Sequence, residues 1–202
     1  MENTVKYFDK PGPENTDEVL SAVSKRAEEL QINDIVLATR LGNTALQAGE
    51  FFKYSNFNIF AITHQYGYAK SGKWFISDEI YNKINLLGVK IATATMPFST
   101  MGKLFRPDWK PQQYPIYNTM FPYDIIADTL RMFSQGMKVC VEIVVMAADM
   151  GLIPIEKEII SIAGTNRGAD TAVVIKPAHI HRIYDLRILE IIAMPRLKYS
   201  LK

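Results

Sequence analysis

Cysteine is nearly absent from this chain. The single thiol, Cys140, leaves no internal disulfide, which excludes the stapled scaffolds of small secreted domains. Set inside the apolar run KVCVEIVVMAA, it reads as a small core residue and not as a nucleophile. Histidine is scarce too: His179 and His181 are two apart, with no third ligand at a recognisable spacing, so no metal site is expected. An excess of one charge is missing, since 23 basic against 21 acidic residues leave +2 with no basic stripe, and nucleic acid is not an expected partner. No run of 18 apolar residues offers to span a bilayer, and the opening MENTVKYFDKPG holds no apolar signal region; the expectation is a cytoplasmic protein. Neither a phosphate-loop lysine nor a three-glycine dinucleotide fingerprint occurs. No Ser/His/Asp order or carboxylate pair stands out, and catalytic residues stay unassigned.

What is present is a patterned globular sequence, 48% hydrophobic over 202 residues, enough for one domain over 1–202 with a real core. After the Pro11–Pro13 turn, Asn15 stands at capping-box spacing from Glu18, and Val19, Val23, Ala27 and Leu30 share one helical face. Apolar runs at 34–39 and 58–63, then at 89–95, read as strands, separated by helices over Thr44–Tyr54 and from Ser77 to Gly88. That alternation predicts right-handed crossovers and a mainly parallel sheet, an α/β fold. Residues 96–122 break the pattern with five prolines and six aromatics, the composition of a lid, a binding loop or an interface arm. Helical periodicity resumes from Tyr123 to Met150 with a break at Gln135–Gly136. Strands follow at 158–163, 171–175 and 187–194. Glu142 and Asp149, on the apolar helix, suit ion pairing or an interface. Helix 136–150 and the C-terminal strand also offer surfaces for a homo-oligomer.

Polar residues gather where strands end. After the first strand stand Thr39, Arg40, Gly42, Asn43 and Thr44, the last opening a helix whose N-terminal amides and hydroxyl suit a phosphate. The plainer alternative is a helix cap. Thr63 and His64 follow the second strand, and Thr95 ends the third. Between ISIA and AVVI lies a loop of Gly164, Thr165, Asn166, Arg167, Gly168, Ala169, Asp170 and Thr171. Small residues there permit close backbone approach, and Arg167 brings a fork for phosphate or carboxylate. Its alternatives are a hairpin turn that needs glycine and an internal Arg167–Asp170 pair. Convergence of these strand ends on one cleft is the stronger signal.

Together the segments YFDKPGPENTDEVL, ATRLGNTAL, ITHQYGY, QGMKVCVEIVVMAADMGLIP, GTNRGADTA and DLRILEIIAMPR resemble the stand-alone pyruvate kinase C-terminal-domain-like family across nearly the whole chain. ATRLGNTA is also similar to the first-strand phosphate loop in the regulatory domain of true pyruvate kinase. The resemblance implies a three-layer α/β/α fold able to hold flavin mononucleotide (FMN) in its cleft. One departure stands out: where the family tends to carry Thr-His-Ala-Leu-Ser-Gly after the third strand, this chain has Thr95, Met96, Pro97, Phe98 and Ser99. The expected function is binding of FMN or a similar phosphorylated ligand, with oxidoreductase chemistry or phosphometabolite sensing as the two readings. Pyruvate kinase catalysis is not expected, because 202 residues leave no room for a catalytic (β/α)₈ barrel.

Overall fold

Short apolar runs bounded by turn residues become strands, and the runs with helical spacing between them cross over as helices. The computed structural model describes residues 4–99 and 121–196. Its strands are β1 (Lys6–Phe8), β2 (Asp34–Ala38), β3 (Asn58–Thr63), β4 (Lys90–Thr93), β5 (Ile159–Ala163), β6 (Thr171–Lys176) and β7 (Arg187–Pro195). The helices are α1 (Thr16–Leu30), α2 (Asn43–Phe51), α3 (Asp78–Leu86), α4 (Pro122–Arg131) and α5 (Gln135–Asp149). One sheet carries the order β1-β7-β6-β5-β2-β3-β4. All neighbours are parallel except at β6, which runs against both β5 and β7. The seven residues between β5 and β6 are too few for a crossover, so this link can only be a hairpin.

Helices cover both faces, giving three layers. On one face, Val19, Leu20, Val23 and Ala27 of α1 pack with α2 and with Ile35, Leu37 and Ile160 of the sheet. On the other, α5 lies across β2, β5 and β6 with Val36, Ile159 and Val173 beneath it. From Gly136 to Ala148 only Val139 of α5 escapes full burial, so this helix is interior and gives no surface for self-association. Arg26 of α1 clamps the sheet edge: its Nε and Nη2 donate to the two carboxylate oxygens of Glu190 in β7 at 2.8 and 2.7 Å, and a third nitrogen reaches Glu29. Such a two-pronged pair fixes geometry as well as charge.

Several local expectations need correction. Asn15 does not cap α1 through its side chain; its amide donates to the Lys10 carbonyl at 2.8 Å, and Glu18 pairs with Lys6 instead. The helix break lies at 132–134, because the Ser134 hydroxyl accepts from the Met137 amide at 2.8 Å and so starts a new helix. The first crossover helix ends at Phe51, and β4 covers only four of the seven residues expected. β1 was not foreseen: its three residues pair only with Ala193, Met194 and Pro195. Of the proline- and aromatic-rich stretch, residues 100–120 lie outside the described residues.

The hairpin from β5 to β6 docks on the turn before α1. Gly168 sits there at φ 67°, and a β-carbon would collide with Pro13 and with the Thr16 hydroxyl. Replacing Gly168 by alanine therefore adds backbone strain to a clash, and should lower unfolding free energy by about 1–3 kcal/mol. Denaturant unfolding measures this; an unchanged midpoint would mean the hairpin does not rest on the turn.

Candidate functional site

β2, β3, β4 and β5 all end at the same edge of the sheet. From β2 the chain crosses rightward through α2 to β3, whereas β5 lies on the other side of β2 and leads away from it. The strand order thus reverses between β2 and β5, and the crevice outside their carboxyl ends is where open α/β sheets bind ligands.

The loop after β2 leads directly into a helix start. Gly42, at φ 95°, precedes α2, and a β-carbon there would run into Ile80 of α3. Its amide donates to the Thr39 hydroxyl at 3.2 Å. No side-chain hydrogen bond caps α2 among the described residues, and its first turn carries the partial positive charge of a helix N-terminus. Thr44 is buried in that turn, while Asn43 and Arg40 are exposed. The Arg40 guanidinium rests 4.9 Å above the Phe75 ring. Phe75 belongs to a ring cluster with His64 at 5.4 Å and Tyr68 at 6.1 Å, and His64 lies 4.8 Å from Tyr68. Only His64 of this cluster stood among the expected site residues. Tyr68 and Phe75 escape a reading of strand ends because they come five and twelve residues after β3, folded back along the β3–α3 loop.

The threonines at the strand ends work inside the protein. Thr63 Oγ1 reaches the Arg40 carbonyl at 3.5 Å, and Thr93 Oγ1 donates to the His64 carbonyl at 2.6 Å. Each steadies the loop after the neighbouring strand. Thr95, two residues beyond β4, is exposed.

The Gly164–Thr171 loop divides in two. Asn166 and Arg167 are exposed and Gly164 and Gly168 half-buried, but Thr165, Ala169, Asp170 and Thr171 face the interior. Asp170 is fully enclosed: its Oδ2 accepts from the Thr165 amide at 2.9 Å and its Oδ1 from the Thr171 hydroxyl at 2.8 Å. Burial pushes its pKa above the usual carboxylate range, and these donors offset part of that rise. The internal Arg167–Asp170 pair is not formed. Arg167 points outward with no ion pair among the described residues.

Two further buried groups lie nearby. Burial raises the Cys140 thiol to about 12, so at neutral pH it stays protonated and inert. On α5, Lys138 and Glu142 form an enclosed ion pair. Glu142 Oε1 accepts from the Phe98 amide at 3.0 Å and the Ser99 hydroxyl at 2.9 Å, and Lys138 donates to both Ser99 and Glu142. This pins the segment after β4 to the second face. At the far end of α5, His179 meets Asp149 at 3.1 Å and stacks on His181, and no group of metal ligands forms among the described residues. Nor is any described helix long and apolar enough to cross a membrane.

Residues 17–175 match the family described as pyruvate kinase, alpha/beta domain. Among solved structures, the chain is similar to one described as Cryptosporidium parvum pyruvate kinase in complex with ADP, at 12% identity and a TM-score of 0.35. That likeness covers 79% of this chain and 22% of the other, so the chain spans under a quarter of that protein's length. The chain belongs to the pyruvate kinase alpha/beta domain family.

The raised pKa of Asp170 has a consequence for stability. A carboxyl that holds its proton more tightly folded than unfolded contributes stability that is complete below its unfolded value and is lost as pH rises through the folded one. The difference in melting temperature between the natural chain and Asp170→Asn should therefore move in favour of the natural chain as pH falls from neutral toward 4. A difference that stays constant with pH would place the carboxylate in solvent.

Proposed function

We propose that this chain binds FMN or a similar phosphorylated ligand at the carboxyl edge of the sheet, over the crevice between β2 and β5. The observation that carries the reading is the first turn of α2, without a side-chain cap among the described residues, which follows β2 at that edge and holds Thr44 beside the exposed Arg40. Arg167 rises from the loop after the neighbouring strand and adds a second cation without a carboxylate partner among the described residues. Arg40 in turn lies against the ring cluster of Phe75, His64 and Tyr68, a surface on which a flat heterocycle stacks. The donor set thus suits a ligand with a phosphate at one end and an aromatic system at the other. When bound, a flavin would supply electron-transfer capacity, and this is the oxidoreductase reading.

Binding fits the described residues better than acid–base work at this edge. The carboxyl with the raised pKa, Asp170, is sealed in the interior, and the thiol of Cys140 is sealed with it. Thr39, Gly42, Asn43 and Thr44 would hold the phosphate through amides and hydroxyls, with Arg40 and Arg167 neutralising its charge. Thr165, Asp170 and Thr171 would support the loop that carries Arg167.

The visible spectrum of the purified protein and a titration with FMN, followed by quenching of flavin fluorescence, test this. Thr44→Val keeps a branched side chain and removes the hydroxyl, and should weaken binding by about 1–3 kcal/mol. Arg40→Ala should weaken it as well, with an unchanged melting temperature. Failure of the natural chain to bind FMN, together with a rise in melting temperature on adding sugar phosphates, would transfer the site to the metabolite-sensing reading. Full affinity in Thr44→Val would reduce the α2 turn to a helix end without a ligand.

A further inference from the structure

The loop between β3 and α3, residues 64–77, holds a donor that the protein does not spend. It runs through turns and bends, with no helix or strand of its own. Irregular loops of this length inside a compact domain are usually lids or binding loops. Trp74 lies in it with its ring 5.8 Å from the Tyr81 ring of α3, and its indole Nε1 is sealed inside with no acceptor among the described residues. Proteins pair nearly all such groups, because a buried donor left alone forfeits its bonds to water and gains none in return. A rearrangement that brings an acceptor to that nitrogen therefore recovers free energy.

The attachments of the loop allow it to move. Among the described residues, every main-chain hydrogen bond of 65–76 closes within the loop itself. Gly67 donates to the Lys73 carbonyl at 2.9 Å, Lys73 to that of Lys70 at 3.0 Å, and Tyr68 to that of Gln65 at 3.2 Å. These bonds travel with the loop and resist no displacement of it as a unit. Gly67 and Gly72 take left-handed φ values of 78° and 69°, and at Gly72 a β-carbon would meet no atom within 4 Å. Toward the sheet edge the loop rests on ring contacts, Phe75 lying under the Arg40 guanidinium at 4.9 Å and beside His64 at 5.4 Å. Its far end is fixed, since Ile76 is buried and Ser77 caps α3. The outer turn carries exposed Lys70 and Lys73, and Tyr66 is 60% exposed before it.

We propose that residues 65–75 are a lid that closes over the crevice when the phosphorylated ligand binds, and that the Trp74 N–H then donates to an oxygen of that ligand. This rests on the binding reading above and adds to it a moving part and a named donor. Lys70 and Lys73 draw the lid toward an anion seated at the α2 turn. Ile76 and the Ser77 cap serve as the fixed end about which it swings.

Two measurements on the full chain test this. With FMN at about 100 times its Kd, hydrogen exchange over 65–75 should slow by about a hundredfold, the protection mass action gives a segment that must release ligand to open. Trp74→β-(3-benzothienyl)alanine, introduced at this position alone, keeps the shape of the indole and removes only the N–H. It should weaken FMN binding about tenfold, the scale of one lost hydrogen bond, without lowering the melting temperature measured before FMN is added. FMN that binds with exchange over 65–75 unchanged would overturn the lid and leave the binding reading standing. A lowered melting temperature with full FMN affinity would place the acceptor inside the protein, a buried water included, and overturn the role of Trp74. A chain that does not bind FMN at all would overturn both readings together.

Discussion

A single buried carboxylate organises the carboxyl edge of this fold. Asp170 gathers the Thr165 amide from its own loop and the hydroxyl of Thr171, and the loop it closes docks on the turn before α1. Thr171 passes the network to Ser134, 3.0 Å away, and Ser134 caps α5. Thr16, which accepts from the Ala169 amide and donates to the Pro13 carbonyl, closes the circuit on the side of α1. Elements from both faces of the sheet therefore meet at one acid. The desolvation cost of burying it is offset only while every donor stays in place, so the loop has little freedom to rearrange.

This constraint explains the split behaviour of the β5–β6 hairpin. Its inward half is committed to the network, and its outward half, Asn166 and Arg167, is what remains to meet solvent or a ligand. The same division recurs along the edge. Thr63 and Thr93 are tied to neighbouring loops, and Lys138 with Glu142 fastens the segment at Phe98 and Ser99. A buried ion pair of this kind adds little stability over well-packed apolar residues, but it specifies one position for the backbone it holds. The edge is thus a rigid rim with few open donors, concentrated at the first turn of α2 and at two arginines.

The layers of the fold were legible because hydrophobic runs carry their own period. DIVLA and NIFAIT, apolar at nearly every position, read as strands buried on both faces inside a sheet covered by helices, and Val19, Val23 and Ala27 share a face on a helix. The direction of β6 and the existence of β1 were harder to read. A three-residue edge strand has too few residues to show alternation, and hairpin against crossover turns on loop length, not composition. Asp170 shows the limit most plainly. An aspartate in a glycine-rich loop reads as exposed and ligand-facing, yet the loop it closes is docked on residues more than 150 positions away, at Pro13 and Thr16. Phe75 and Tyr68 escaped for the same reason: which rings line an edge depends on how the β3–α3 loop folds back.

Where polar groups are spent inside the protein, they are lost to ligands, and this bears on how selective the edge can be. Thr63 and Thr93 already reach carbonyls, so their hydroxyls offer a ligand at most a lone pair or a bifurcated proton, whereas Thr39 only accepts from Gly42 and keeps its proton to donate. Recognition then falls to backbone amides, which read charge and shape but not chemical identity, and to the guanidinium of Arg40 on its ring. An anion would be held by the helix end whatever molecule bears it. Discrimination among phosphorylated compounds would come from the aromatic cluster beside Arg40, whose flat faces favour a ring system over an open polyol. On the proposed reading, the physical division would therefore be between a generic anion seat built from main chain and a selective wall built from side chains folded in from the β3–α3 loop.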